Sequence, residues 1–187
     1  MDKKNTNPIA LVIHGGAGVI ERDQLGADDE RAIHADLDAA LDAGHAVLAS
    51  GGSALDAVEA AARALEDSPR FNAGHGAVFD AEGRHELDAS VMEGHTRRAG
   101  AVAGVTTIRN PVSLARAVME HSPHVMLIGA GAEAFADTRD DIERVPNAYF
   151  DTPHRRRELE QAQARERTDA AGAGDLKGKY FGTIGAV

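Results

Sequence analysis

The sequence predicts an α+β domain with elements in the order β-α-α-β-β-β-α-β-α. Apolar residues recur at helical spacing over residues 28–48 and 54–66, with no strand between these two segments. Segments rich in β-branched and small residues lie on either side of them, at residues 9–13 and 99–108. Two consecutive helices and a later run of strands fit a layered α+β arrangement better than a repeated βαβ unit.

The first half is predicted to contain one strand and two helices. Residues 9–13 form a continuous apolar run closed by a glycine-rich turn, a pattern typical of a strand buried on both faces. The helix over residues 28–48 is amphipathic, with acidic residues in its first turn. The helix over residues 54–66 follows Ser53, a suitable N-cap, and stops before Pro69.

The middle of the chain is predicted to contain three short antiparallel strands and then a helix, a strand and a helix. The strands are residues 77–80, 86–92 and 99–108. Pro111 lies in the first turn of the next helix, which ends near Pro123. The last two elements of this part are a strand at residues 125–128 and a helix at residues 131–138.

The last part of the chain is charged and then rich in glycine. Residues 154–167 have almost no large apolar face, so they predict either an exposed, ion-paired helix or a partly disordered segment. We therefore expect a single domain over residues 1–167, a flexible linker over residues 168–182, and the start of a further strand at residues 183–187.

Composition excludes several classes of function. The 187 residues include 20 Lys and Arg against 30 Asp and Glu, a formal net charge of −10, which argues against a nucleic-acid partner. The absence of cysteine excludes disulfides, thiolate nucleophiles and Cys-ligated metals. No apolar run approaches the roughly 18–20 residues of a membrane span. With a polar N-terminus as well, these features predict a cytoplasmic protein without membrane association.

The strand predicted after the linker has two interpretations. It is either an edge strand that finishes the domain, or its start marks a cleavage junction between Gly182 and Thr183. Glycine next to a hydroxyl residue allows the strained backbone that attack of the hydroxyl on the preceding carbonyl requires. The residues themselves leave both interpretations open.

Seven motifs, spread in order along the chain, carry a resemblance to a known family. The sequence resembles the plant-type L-asparaginase, or isoaspartyl peptidase, family of N-terminal-nucleophile hydrolases. The motifs are His14-Gly-Gly-Ala-Gly18, Phe71-Asn-Ala-Gly-His-Gly-Ala-Val-Phe79, Glu86-Leu-Asp-Ala-Ser-Val-Met92, Ala99-Gly-Ala-Val-Ala-Gly-Val105, Arg109-Asn-Pro111, Ser122-Pro-His-Val-Met126 and Gly182-Thr-Ile-Gly-Ala-Val187.

The resemblance implies a four-layer αββα sandwich in a precursor that cuts itself before a threonine. On this sequence the nucleophile would be Thr183 and the scissile bond Gly182–Thr183. The freed α-amine has a reference pKa of about 7.7–8.0, so it can accept the proton of its own hydroxyl. The implied substrates are L-asparagine and isoaspartyl (β-aspartyl) dipeptides.

The resemblance also implies a structural sodium ion and neighbours for the nucleophile. Asn72 would help to position Thr183, and Gly15 and Gly16 would lie near the cleavage junction. No catalytic cofactor is implied. Main-chain carbonyls would hold the sodium, a ligand type that suits a hard monovalent cation. They belong to Leu65, Glu66, Ser68, Phe71, Ala73 and His75.

In this family most of a β subunit follows the nucleophile, and the active protein is an (αβ)₂ dimer. The sequence reaches Val187, so the family's substrate-gripping and oxyanion residues are not among its 187 residues. The sandwich would therefore be incomplete, and a polypeptide of these residues alone is expected to be inactive. A noncatalytic, truncated fragment is the corresponding alternative.

Other interpretations were weighed against this resemblance. Glycosylasparaginase and taspase share the fold, but Gly182 and the His-Gly-Gly opening favour the plant-type branch. A dinucleotide-binding module is another alternative, indicated by the spacing of Gly129, Gly131 and Ala134 and by Asp151 downstream. The nine histidines predict no metal cluster. Asp88 is either catalytic or hydrogen-bonded to the backbone.

Overall fold

The computed structural model describes residues 8–16, 25–169 and 183–187. It has five α-helices, two short 3₁₀ helices (Gly74–Gly76 and Asn147–Phe150) and five strands in the described residues, an α+β fold. The strands are β1 (Ile13–His14), β2 (Leu87–Met92), β3 (Ala99–Val105), β4 (Met126–Ile128) and β5 (Gly185–Ala186). The helices are α1 (Ala27–Ala49), α2 (Ala54–Asp67), α3 (Pro111–His121), α4 (Gly129–Ala136) and α5 (Pro153–Asp169).

Helices α1, α2 and α3 confirm the predicted positions to within one or two residues. Helix α2 begins with a complete capping box, because the Ser53 hydroxyl accepts from the Asp56 N–H and the Asp56 carboxylate accepts from the Ser53 N–H. Pro111 occupies the first turn of α3. The charged segment is helical as α5, which extends to Asp169, and residues 170–182 of the predicted linker lie outside the described residues.

The strands form two sheets. Strands β2, β3 and β4 are neighbours in that order; β2 pairs antiparallel with β3, and β3 pairs parallel with β4. Strand β5 pairs antiparallel with β1, and the main chains of Val12 and Val187 exchange two more hydrogen bonds of 2.8 and 2.9 Å. The start and the end of the described chain therefore meet in one sheet.

The main core lies between the three-stranded sheet and helix α3. Val102 of β3 and Leu114 and Val118 of α3 are fully or almost fully buried there. Gly100 allows the close approach, since a Cβ on it would lie 2.1 Å from the carbonyl oxygen of Ala115. A smaller cluster of Ala40, Leu65 and Phe71 lies beneath the two-stranded sheet, where Ile13 and Ile184 pack against it.

Two strand predictions were wrong. The segment over residues 9–13 is not buried on both faces, because β5 is its single neighbour among the described residues and Val12 is 62% exposed. The segment over residues 77–80 forms no strand, because the main-chain N–H and C=O of Val78 bond to side chains, those of Asn72 and His85. Of the three predicted antiparallel strands, β2 and β3 are confirmed.

Among the residues that the structure describes, no helix is both long and apolar enough to cross a membrane.

Candidate functional site

Thr183 is exposed and directly precedes Ile184 and strand β5. Its hydroxyl donates to the carbonyl oxygen of Ile184 at 3.3 Å, a long contact. Pairing of β5 with β1 fixes the main chain that follows Thr183. Gly182, the other half of the predicted junction, lies outside the described residues.

The glycines after β1 allow close contacts with two different neighbours. Gly16 has a φ of +120°, and a Cβ there would lie 3.2 Å from the carbonyl oxygen of Thr183. A Cβ on Gly15 would lie 3.0 Å from the Phe71 ring and 3.1 Å from the Leu37 side chain. The structure therefore brings Gly16 against the main chain of Thr183, whereas Gly15 packs on the smaller core.

A cavity of about 760 Å³ opens beside Thr183. Residues 183–186 line it, together with residues of all three strands of the three-stranded sheet. Asn72 and Glu66 contribute to its lining. The cavity thus brings the predicted nucleophile and Asn72 to one site.

Asn72 is held by the segment that follows it. Its Oδ1 accepts a hydrogen bond of 2.8 Å from the Val78 N–H. The Val78 carbonyl oxygen lies 3.1 Å from Nδ1 of His85, and the other ring nitrogen of His85 lies 3.1 Å from the Asp151 carboxylate. These contacts connect Asn72 with the residues just before helix α5.

Glu66 carries a buried carboxyl group in the wall of the cavity. It is 3% exposed, and its Oε1 accepts a hydrogen bond of 3.0 Å from the Val112 N–H in the first turn of α3. Its Oε2 is buried with no hydrogen-bond partner among the described residues. Burial raises the pKa of Glu66 to about 8. The family motifs point only to the main-chain carbonyl of Glu66, and no pattern in the sequence indicates this buried side chain.

The six carbonyls predicted to bind sodium lie within the segment of residues 65–76, which is folded tightly on itself. A Cβ on Gly74 would lie 2.2 Å from the Glu66 carbonyl oxygen, and one on Gly76 would lie 2.2 Å from that of Phe71. The carbonyl oxygens of Leu65 and Ala73 each accept one hydrogen bond, and a carbonyl oxygen has two lone pairs.

Side chains outside the segment fix both of its ends. Ser68 and Arg70 bond to Asp36 of α1, and the ring of His75 lies edge-on to Tyr149. No group of three or more His, Cys, Asp or Glu side chains that could hold a metal ion occurs in the described residues.

Helix α5 contacts the same segment, a feature that the sequence analysis missed. The Arg155 guanidinium donates to the Gly76 carbonyl oxygen at 2.7 Å. Arg156 bonds to Asp151 at 2.7 Å, and its guanidinium lies 4.1 Å from the centre of the Phe79 ring. A linear run of arginines gives no signal for Gly76 and Phe79 as partners, since these lie nearly 80 residues earlier in the chain.

At the two alternative sites, a catalytic Asp88 and a dinucleotide-binding turn, the side chains make hydrogen bonds within the fold. Asp88 is exposed, and it accepts a hydrogen bond of 2.8 Å from the Gly104 N–H beside the irregular pairing of β2 with β3. Gly129 and Gly131 open the short helix α4, in which Glu133 accepts hydrogen bonds from Thr106 and Thr107.

That region also lacks the context of a dinucleotide fold. Among the described residues, no strand after α4 pairs with β4. A dinucleotide site needs a parallel strand on each side of such a helix. Asp151 is bonded to His85 and Arg156, which accounts for its carboxylate without a ribose.

Comparison with known proteins gives matches along nearly the whole chain. Residues 7–187 match the protein family described as Asparaginase. The chain is 49% identical over 179 residues to an isoaspartyl peptidase of Escherichia coli (strain K12), covering 95% of this chain and 56% of that protein. It is 46% identical over 183 residues to an isoaspartyl peptidase of Salmonella typhimurium, covering 97% and 58%.

A human relative matches over a similar range. The chain is 40% identical over 184 residues to an isoaspartyl peptidase/L-asparaginase of Homo sapiens, covering 97% of this chain and 56% of that protein. The chain therefore spans a little over half the length of these curated relatives. The family match over residues 7–187 and these relatives show that the chain belongs to the asparaginase family.

Proposed function

We propose that the native protein is a threonine amidohydrolase that hydrolyses isoaspartyl dipeptides and L-asparagine. The observation that carries this proposal is that Thr183 and Asn72 line one cavity, with Gly16 against the main chain of Thr183, in a chain of this family. The relatives' names, isoaspartyl peptidase and isoaspartyl peptidase/L-asparaginase, support the choice of substrates.

The first proposed step is cleavage of the chain by Thr183 itself. Its hydroxyl attacks the carbonyl carbon of Gly182, and the peptide C–N bond breaks as the acyl group passes from nitrogen to oxygen. Water then hydrolyses the ester. One product ends in the Gly182 carboxylate, and the other begins with the free α-amine of Thr183.

The second proposed step uses that amine as the base. It takes the proton of the Thr183 hydroxyl, which attacks the side-chain carbonyl of the substrate and expels ammonia or the amine of the dipeptide. Water hydrolyses the resulting ester and releases aspartate. One residue thus supplies both nucleophile and base, which fits a chain without cysteine.

The surroundings of Thr183 support this chemistry. Gly16 leaves the main chain of Thr183 uncrowded on one side, and Asn72 is fixed by the Val78 N–H in the wall of the same cavity. We assign Asn72 to positioning the nucleophile, and Gly15 and Gly16 to shaping the turn next to it.

The proposal includes a further part of the protein. The relatives extend well beyond the matched segment, and we propose that a β subunit beginning at Thr183 supplies the residues that bind the substrate's charged groups. The uncovered sheet face beside the cavity, with Met92, Met126 and Ile128 at least half exposed, is consistent with strands packing there in an αββα sandwich. An (αβ)₂ dimer is the proposed assembly.

Variants of the native protein test the nucleophile. Thr183→Ala is expected to abolish hydrolysis of an isoaspartyl dipeptide and of asparagine, and Thr183→Ser to retain part of both. Thr138→Ala, which removes an exposed hydroxyl at the end of α4, is the matched control and should leave both rates unchanged. Full activity in Thr183→Ala would overturn the proposal, and preference for a glycosylated asparagine would move it to the glycosylasparaginase branch.

We also propose that the main-chain carbonyl oxygens of Leu65, Glu66, Ser68, Phe71, Ala73 and His75 bind a structural sodium ion. The ion would stabilise the segment that leads to Asn72 and would take no part in the reaction. Replacing sodium by choline at constant ionic strength is expected to lower the thermal midpoint of the native protein, with recovery when sodium is restored. An unchanged midpoint would exclude a tightly linked ion.

A further inference from the structure

We propose that His85 is a positioning residue that holds Asn72 in place through the main chain of Val78. This inference rests on the proposed function, because it gives Asn72 its importance. His85 is not one of the predicted site residues. The connection runs from Asn72 through Val78 to the His85 ring.

Val78 is the middle of this connection. Its N–H donates to Oδ1 of Asn72 at 2.8 Å, and its carbonyl oxygen lies 3.1 Å from Nδ1 of His85. Residues 77–80 belong to no strand. The side chains of Asn72 and His85 therefore provide the hydrogen bonds that a neighbouring strand would provide for the main chain of Val78. The position of the Val78 main chain, and with it the hydrogen bond to Asn72, depends on His85.

The His85 ring is itself fixed from several directions. It is 0% exposed, and its centroid lies 4.0 Å from that of Phe79 and 5.9 Å from that of Phe150. Asn147 accepts from its main-chain N–H at 3.0 Å and donates to its carbonyl oxygen at 2.9 Å. A side chain held this firmly can transmit a defined position to Val78.

Both ring nitrogens of His85 face acceptors. Nδ1 faces the Val78 carbonyl oxygen, and Nε2 lies 3.1 Å from the Asp151 carboxylate. Burial acts to raise the pKa of Asp151, but hydrogen bonds from Arg156 and His85 outweigh it and lower that pKa. A carbonyl oxygen can only accept, so the ring is the donor in its hydrogen bond to Val78.

Two substitutions separate these hydrogen bonds. The side-chain amide of asparagine can place its NH₂ near the position of Nδ1, and the longer glutamine can place its NH₂ near that of Nε2. His85→Asn can therefore keep the bond to Val78 and lose the bond to Asp151, and His85→Gln does the reverse. Both variants lose the ring, so each controls for the loss of stability in the other.

The test measures steady-state hydrolysis of an isoaspartyl dipeptide by the complete native protein. His85→Gln should lower kcat about tenfold with KM within about twofold of the native value, because misplacing a group near the reacting atoms costs rate. His85→Asn, and Asp151→Asn with the ring intact, should keep kcat within about threefold of the native value. Equal losses in His85→Asn and His85→Gln, or a native kcat in His85→Gln, would overturn the inference.

A second measurement keeps the inference independent of the proposed function. If the native protein hydrolyses no substrate, the proposed function fails. Hydrogen exchange of the Val78 amide then still tests whether His85 holds Val78 in place. That amide should exchange faster in His85→Gln than in His85→Asn when the two are compared at equal global stability. Equal exchange would show that His85 does not hold Val78.

Discussion

The three-stranded sheet and the two-stranded sheet differ in how completely the described residues surround them. Strands β2, β3 and β4 are covered on one face by α3, and Val102, Val105 and Leu114 are at most 1% exposed there. Strands β1 and β5 have two residues each, and Val12 and Val187 beside them are 62% and 82% exposed. Thr183 belongs to the second, less enclosed region.

This difference assigns different tasks to the two regions. The first buries most of the apolar core, whereas the second places an exposed hydroxyl residue beside a cavity that Asn72 also lines, with a positive-φ glycine against its main chain. We therefore expect substitutions around α3 to change the free energy of unfolding, and substitutions beside Thr183 to change rates.

The largest expected effect is on stability and comes from the core beneath α3. Leu114 is 0% exposed, so Leu114→Ala should lower the free energy of unfolding of the native protein by about 2–5 kcal/mol. Ile184, which is half-buried against the smaller core, is the matched position, and Ile184→Ala should cost about 1 kcal/mol. Urea unfolding measures the change in the free energy of unfolding for both variants. Equal changes would contradict the difference proposed between the two regions.

The next effect is on rate and comes from Gly16. An alanine there would have a strained backbone and a Cβ 3.2 Å from the Thr183 carbonyl oxygen, so Thr183 would have to shift. Gly16→Ala should lower the rate of dipeptide hydrolysis by about a hundredfold. Gly51→Ala is the control, because Gly51 has a φ of +87° with nothing within 4 Å of the added Cβ. A loss of rate in both variants would point to backbone strain alone.

A smaller effect, on the pH dependence of stability, is expected at Glu133. Burial acts to raise the pKa of Glu133, but hydrogen bonds from Thr107 and Thr106 and the charge of Arg144 outweigh it and lower that pKa. The unfolded chain therefore takes up the proton first as the pH falls, so this stabilisation is complete above about pH 4.3 and is lost below it.

Glu133→Gln should then destabilise the native protein by about 1–3 kcal/mol at pH 7. The gap between the two proteins should narrow as the pH falls below the ordinary range of a glutamate. Unfolding by urea at a series of pH values measures this gap. A gap that stays constant from pH 7 to pH 3 would contradict the role assigned to the ionised Glu133.

The smallest effect is expected at the start of α2. Ser53→Ala removes the acceptor of the Asp56 N–H and should cost about 1 kcal/mol without changing the rate of hydrolysis. Ser50→Ala is a matched control: the Ser50 hydroxyl donates to the Val47 carbonyl at the end of α1 and caps no helix N-terminus. A cost at Ser50 as large as at Ser53 would contradict the capping explanation.

The elements that sequence analysis predicted well are those with a local cause. Ser53, three residues before Asp56, marks the start of α2, and Pro111 marks the start of α3, because caps and fixed φ angles act within one turn. The strand predicted at residues 77–80 failed for a non-local reason. Val78 has β propensity, but its main-chain groups bond to Asn72 and His85, which no local pattern reveals.

The candidate site was found through motifs and not through periodicity. The resemblance pointed to Thr183, Asn72 and Gly16, and the structure brings these three to one cavity or into contact. It gave no signal for the buried side chain of Glu66 or for the role of His85, since both depend on partners that lie from 7 to 66 residues away in sequence. The catalytic and sodium-binding roles themselves stay predictions.

The intact mass of the native protein tests the central claim most directly, namely that Thr183 becomes an N-terminal nucleophile. We expect two fragments, one ending at Gly182 and one beginning at Thr183, and a single uncut species for Thr183→Ala. A native protein that remains uncut while it hydrolyses isoaspartyl dipeptides, or a cut at another bond, would contradict the claim.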